Sequence, residues 1–116
     1  MTVDFEMHAG DDKTLEVTVL DQNGVAVDIS SSTIRWRASR SKTKTADIIK
    51  KTGGAGISLS DPTNGVFTVT LDAADTESLT GIFYHEGQLT LPNGTLSTVL
   101  SGKMTVLMAL IRSTAS

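Results

Sequence analysis

Val66-Phe67-Thr68-Val69-Thr70-Leu71 alternates apolar and polar side chains and follows the turn Asp61-Pro62-Thr63-Asn64-Gly65. Two more alternating stretches come after it, Ile82 to Leu91 and Leu96 to Leu107. The first of these is introduced by Asp75-Thr76-Glu77-Ser78-Leu79-Thr80-Gly81 and the second by Pro92-Asn93-Gly94-Thr95. A period of two sends successive side chains to opposite faces of a strand. This half of the chain therefore predicts strands with one buried and one wet face. Ala73 to Leu79 leaves room for a single helical turn at most.

The same pattern extends toward the N-terminus. Val3, Phe5 and Met7 share one side of the segment Val3 to His8, which ends at Ala9-Gly10-Asp11-Asp12. Leu15, Val17 and Val19 share one side of Lys13 to Leu20, with Thr14, Glu16 and Thr18 opposite. Asp21-Gln22-Asn23-Gly24 reads as a turn, because Asn-Gly tolerates the positive φ that tight hairpins require. A short extended piece, Val25 to Ile29, follows. Thr33 to Arg40 sets Ile34, Trp36 and Ala38 on one face and Arg35, Arg37 and Ser39 on the other, so the single tryptophan is predicted to enter the core. Ser41 to Ala46 reads as a polar loop and Asp47 to Lys51 as a short edge strand protected by its lysines. Thr52-Gly53-Gly54-Ala55-Gly56 is a further turn, before the short strand Ile57-Ser58-Leu59.

Phe83, His85, Gly87, Leu89 and Leu91 fall on one face of the penultimate stretch. Gly87 stands where a packed side chain is expected, which predicts a bulge or a close backbone approach. Leu96 to Ile111 would make a strand of about 16 residues, beyond the usual roughly 3 to 10. Gly102 is the natural place for it to bend or change sheets.

Strand signals about every 8 to 12 residues favour two packed sheets over a barrel. The expectation is an all-β fold, an immunoglobulin-like antiparallel β-sandwich of about 7 to 9 strands. The inward tryptophan on the third strand and the corner before the penultimate strand fit it. In such corners a tyrosine often bonds back to the chain, but the inward residue here is Phe83, which can pack and cannot make that bond. A length of 116 residues with 39% hydrophobic content suits a single domain over residues 1–116, with 107–116 inside it or extending past it as an interaction strand or tail. There is no cysteine, so packing alone must hold the sandwich together.

The residues offer little for catalysis. Asp11-Asp12 has the look of a magnesium-binding acid pair, yet adjacent strand residues point to opposite faces and a turn beginning at Gly10 accounts for both. Neither histidine, His8 or His85, has a cysteine or acid at ligand spacing. No serine stands in a nucleophile elbow. Gly53-Gly54-Ala55-Gly56 lacks the lysine and the helix of a phosphate cradle, and Asn93-Gly94-Thr95 is explained by a two-residue hairpin turn. The chain is expected not to be an enzyme and to have no catalytic, cofactor-binding or metal-binding residues. No apolar run reaches the roughly 18 residues of a membrane span. The acids Asp4 and Glu6 near the N-terminus speak against a secretory leader.

Two features point to partners. Arg35, Arg37, Arg40, Lys42, Lys44, Lys50 and Lys51 face one acid, Asp47, so residues 35–51 carry +6 and the rest −9 of a net −3. Such a segment is either a solvated strand face with its loop or a docking patch for an acidic protein surface or phosphate backbone. The second feature is Met104-Thr105-Val106-Leu107-Met108-Ala109-Leu110-Ile111, apolar at every position but one. If Met104, Val106, Met108 and Leu110 face the core, Leu107, Ala109 and Ile111 lie on the other side. A strand apolar on both faces is either central in a covered sheet or presents a patch to a partner or a second copy. The partner-binding candidates are accordingly Arg35, Arg37, Arg40, Lys42, Lys44, Leu107, Ala109 and Ile111.

From about Ala9 to Leu107 the chain resembles the small immunoglobulin-like domains of tailed bacteriophages and prophages, found at the start of baseplate upper proteins and as stand-alone virion components. The resemblance rests on Gly10-Asp11-Asp12, Asp21-Gln22-Asn23-Gly24 with Val27-Asp28-Ile29-Ser30, and Gly65-Val66-Phe67-Thr68-Val69. It continues through Asp75-Thr76 with Leu79, Gly81 to Glu86, Asn93-Gly94, and Ser97-Thr98-Val99-Leu100-Ser101-Gly102-Lys103-Met104-Thr105-Val106. Two departures stand out: Ser30-Ser31 follows Asp28-Ile29 where the family usually has a glycine, and the aromatic-rich penultimate strand carries His85 and Gly87. The resemblance implies a non-enzymatic phage structural protein, a capsid decoration or head component or a tail or baseplate adaptor. It implies other virion proteins as partners, and a place in the virion after synthesis in the bacterial host cytoplasm. The rival readings are a host-surface or carbohydrate-binding module, for which Tyr84 is the exposed aromatic, and a lesser, electrostatic nucleic-acid contact through the basic segment.

Overall fold

The structure, a computed structural model, describes residues 2–40, 48–77 and 79–108. Alternation becomes strand almost everywhere it was expected. Among the described residues the strands are β1 (Phe5–His8), β2 (Lys13–Thr18), β3 (Thr33–Ser39), β4 (Ile48–Lys51), β5 (Ile57–Asp61), β6 (Val66–Leu71), β7 (Gly81–Thr90) and β8 (Leu96–Leu107). A 3-10 turn spans Pro62–Asn64, and the one-turn helix α1 spans Ala73–Thr76. β2, β6 and β5 form one sheet, in the order β2-β6-β5, and the other runs β1-β8-β7-β3-β4. Their inward faces meet in a core in which Ile34, Trp36, Phe67, Val69, Leu71, Phe83 and Met104 are wholly buried. With β2 to β8 read as strands B, C, C′, D, E, F and G, this is the immunoglobulin arrangement of B-E-D against C′-C-F-G.

One pairing departs from the antiparallel expectation. β1 runs parallel to β8, with Phe5 opposite Met104 and His8 opposite Leu107. Parallel neighbours need a long connection between them, and here nearly the whole domain supplies it. Ala9 to Asp12 carries the chain across to the other sheet instead of folding back as a hairpin, so β1 meets the last strand and not β2. The strand is also shorter than the expected Val3–His8, although Val3 still donates its N–H to the Ser101 carbonyl at 2.8 Å.

Gly102 neither bends β8 nor moves it between sheets. β8 continues in register with β7 on both sides of it, and the irregularity falls at Gly87/Gln88, where Val99 is the extra residue. Gly87 thus marks a bulge, one of the two alternatives expected of it, and its neighbour is a side chain and not backbone: a Cβ there would lie 2.4 Å from Leu100 Cδ2. The Asn93-Gly94 connection is a three-residue loop, not a two-residue turn. Leu91 and Thr95 close it by an N–H to carbonyl bond of 2.9 Å, and Gly94 takes φ 90°.

The corner before β7 is tied by the threonine of Asp75-Thr76. Thr76, wholly buried at the end of α1, accepts the Gly10 N–H through Oγ1 at 3.0 Å. The bond joins the β1–β2 and β6–β7 connections, while Phe83 packs as expected. Ser31 accounts for the missing glycine: it is in the left-handed region at φ 63°, the conformation for which glycine is usually chosen.

Candidate protein-docking face

The outer face of the five-stranded sheet holds Arg35 and Arg37, two of the four candidates that fall within the described residues. Period two on β3 turns Ile34, Trp36 and Ala38 inward and leaves Arg35 and Arg37 exposed. On β4 it turns Ile48 and Lys50 inward and Ile49 and Lys51 outward. The register sets Arg35 directly opposite Lys51 on one side and Gln88 on the other. Arg37 lies between Ile49 and Glu86 in the same way. The result is three cations around an isoleucine that is 61% exposed, with Glu86 as the neighbouring acid.

Lys50 belongs to the interior and not to this patch. Its amine pairs with Asp75 of α1 at 2.8 Å, and its stem passes 2.4 Å from where a Gly56 Cβ would stand. An inward charge on an edge strand discourages unwanted pairing. Asp75 also accepts the Asp72 N–H at 2.7 Å, so the same carboxylate caps α1 and holds β4 to it. Among the described residues no ion pair reaches Arg35, Arg37 or Lys51.

Arg40 leaves the group. Its guanidinium carbon sits 4.6 Å from the Phe83 ring centroid, a cation–π contact that holds it over the end of the core. Lys42, Lys44, Ala109 and Ile111 lie outside the described residues. Leu107 is half-buried at the β1 side of β8, where its carbonyl accepts the Ala9 N–H at 2.8 Å. It does not join the Arg35–Arg37 patch, because β7 lies between β8 and β3 and begins at Gly81, opposite Val106. Met108, expected to face the core, is 74% exposed. The β7 partner of Val106 is Gly81, the first residue of that strand, so β7 does not continue past it alongside Met108.

Lys50 and Lys51 both counted toward the basic segment in the sequence, which did not tell the inward lysine from the outward one or single out Ile49. Strict alternation separates the buried lysine from the exposed one. Tyr84, the aromatic of the carbohydrate reading, is outward on β7 between Ser39 and Lys103.

The inward face of the same sheet carries a buried polar chain. Trp36 donates its indole N–H to Nδ1 of His85 at 3.1 Å, and Nε2 of His85 meets the Val3 carbonyl. That arrangement requires the neutral tautomer with the proton on Nε2. Burial pushes the imidazole below its ordinary value near 6.5, against the opposing pull of the Val3 carbonyl and of Asp4. His8 is exposed on β1, and Asp12 accepts the Ala73 N–H at 2.9 Å. Among the described residues no three His, Cys, Asp or Glu side chains converge as a metal site would require.

No protein-family model matches the chain, and no curated protein matches it.

Proposed function

We propose that this chain is a non-enzymatic bacteriophage structural protein, an immunoglobulin-like module that binds other virion proteins through the outer face of its five-stranded sheet. The observation that carries the docking face is the direct apposition of Arg35 and Lys51 beside the exposed Ile49. Like charges opposite one another on a sheet destabilise it. Set around an exposed apolar side chain, they form a surface whose electrostatic complement is an acidic rim around an apolar centre. The phage assignment is supported by the turn and packing residues from Ala9 to Leu107, together with a sandwich that keeps those turns in place. The chain is then a capsid decoration or head component, or a tail or baseplate adaptor, and resides in the virion.

Mass spectrometry of density-purified particles from the encoding phage or induced prophage tests this reading. The chain is expected at a fixed ratio to the major capsid or tail protein. Its abundance in the lysate but absence from the particles would contradict the assignment.

A further inference from the structure

We propose that neutral His85 latches the N-terminal segment Thr2–Ala9 to the sheet, and that acid opens this latch and bares the outer edge of β8. The geometry begins with Gly102, the partner of His85 on β8. Because Gly102 has no side chain, the His85 ring reaches past β8 to the Val3 carbonyl on the far side. Phe5 then closes over the ring edge-on, at 5.2 Å between centroids. On its deep side the ring is fixed by Trp36, which is wholly buried.

Protonation at Nδ1 sets two donors against each other, the new N–H and the Trp36 indole N–H. The imidazolium is then a buried charge without its acceptor role, and such a group reaches water or shifts its environment. Trp36 sits in the core and cannot yield. The cover toward the sheet edge is Val3 to Phe5, so relief lies in lifting that segment. β1 is only four residues long and lies at the edge of its sheet, the kind of element that opens first.

The charged groups around the ring are few. From the N-terminal segment Asp4 favours the cation, although its carboxylate already accepts the Lys103 N–H at 2.9 Å. From β2, the Lys13 ammonium lies 5.7 Å from the Phe5 ring centroid. β3 presents Trp36 and Ala38, and β8 presents Gly102. Glu6, Tyr84, Glu86 and Lys103 alternate to the outer face.

The sign follows from the buried neutral state. As pH falls through about 6.5 the unfolded or opened chain takes up a proton that the latched form refuses, so latching weakens with acid and is complete above that value. Hydrogen exchange at about pH 7.5 and pH 5, corrected for intrinsic rates, reads the effect across the His titration range. Protection of residues 3–9 is expected to stand below that of β2 and β6 at both values and to fall by up to about tenfold per pH unit below 6.5. His85→Gln supplies one acceptor and one donor without titrating, and is expected to abolish this pH dependence.

Trp36→Phe removes the opposing donor, and its His85 is expected to titrate closer to the ordinary value by NMR; this variant decides the matter should His85→Gln not fold. Nitrogen NMR of the wild-type ring at neutral pH is expected to show the Nε2–H tautomer. An Nδ1–H tautomer, unchanged protection at pH 5, protection of residues 3–9 no lower than that of β2 and β6, or the same loss in His85→Gln would each overturn the proposal.

Discussion

Trp36→Ala is expected to remove about 3 to 5 kcal/mol of unfolding free energy, the usual cost of deleting a large buried ring. Domains of this size are stable by only about 5 to 15 kcal/mol, so the variant should sit near the margin of folding. Two effects add. The indole occupies the space beside Gly87, where even the position of a missing Cβ is 3.8 Å from Trp36 Cδ1, and its loss leaves a cavity between β3 and β7. The second effect is polar: Nδ1 of buried His85 loses its donor, a penalty of about 1 to 3 kcal/mol. Urea denaturation followed by far-ultraviolet circular dichroism measures the change without relying on the only tryptophan as the probe. Trp36→Phe separates the effects by keeping most of the ring volume and deleting the N–H. A cost below about 1 kcal/mol for Trp36→Ala would deny the ring its place at the centre of the core.

Gly102→Ala is expected to cost about 3 kcal/mol, the burial free energy of one to two apolar side chains, and to concentrate the damage in the N-terminal segment. A Cβ on Gly102 would fall 2.1 Å from the Val3 carbonyl oxygen and 2.8 Å from the Asp4 carboxylate. The first of these is backbone, which cannot step aside as a flexible side chain does. Expelling it breaks the Val3–Ser101 bond, the His85 contact and the packing of Phe5, and uncovers the buried Met7. Hydrogen exchange should show residues 3–9 exposed and the β2-β6-β5 sheet protected. Unchanged protection of that segment would mean that the close approach at Gly102 is not required.

These two residues also mark how far the sequence could be read. Trp36 was legible because the alternation of Ile34, Trp36 and Ala38 against Arg35 and Arg37 has one reading. Gly102 was misassigned to a bend, since a glycine in a strand looks the same whether it turns the chain or admits a neighbour. The neighbour is Val3, remote in sequence, and local pattern carries no trace of such a contact. The parallel pairing of β1 was illegible for the same reason: alternation places a strand on a face and says nothing of its partner.

The candidate patch shows the same division. Arg35 and Arg37 were found because β3 alternates strictly, and the structure adds Ile49 and Lys51 by setting β4 in register beside them. Arg40 is set apart from Arg35 and Arg37 by its contact with Phe83, more than forty residues along the chain. Lys50 reads as one more surface lysine until Asp75 is brought to it by α1. In each case the side chain type was visible and the partner was a matter of tertiary structure.

Binding of the purified protein to particles lacking it reads out the proposed role of the Arg35–Arg37–Lys51 face in holding the module to other virion proteins. Wild type and Arg35→Glu/Arg37→Glu would be compared by co-sedimentation across a range of salt. Both substitutions lie on an exposed strand face, so melting temperature should barely change. The double variant is expected to bind at least about tenfold more weakly, and wild-type binding to decline with salt. Equal binding by the two proteins, with both folded, would contradict the account.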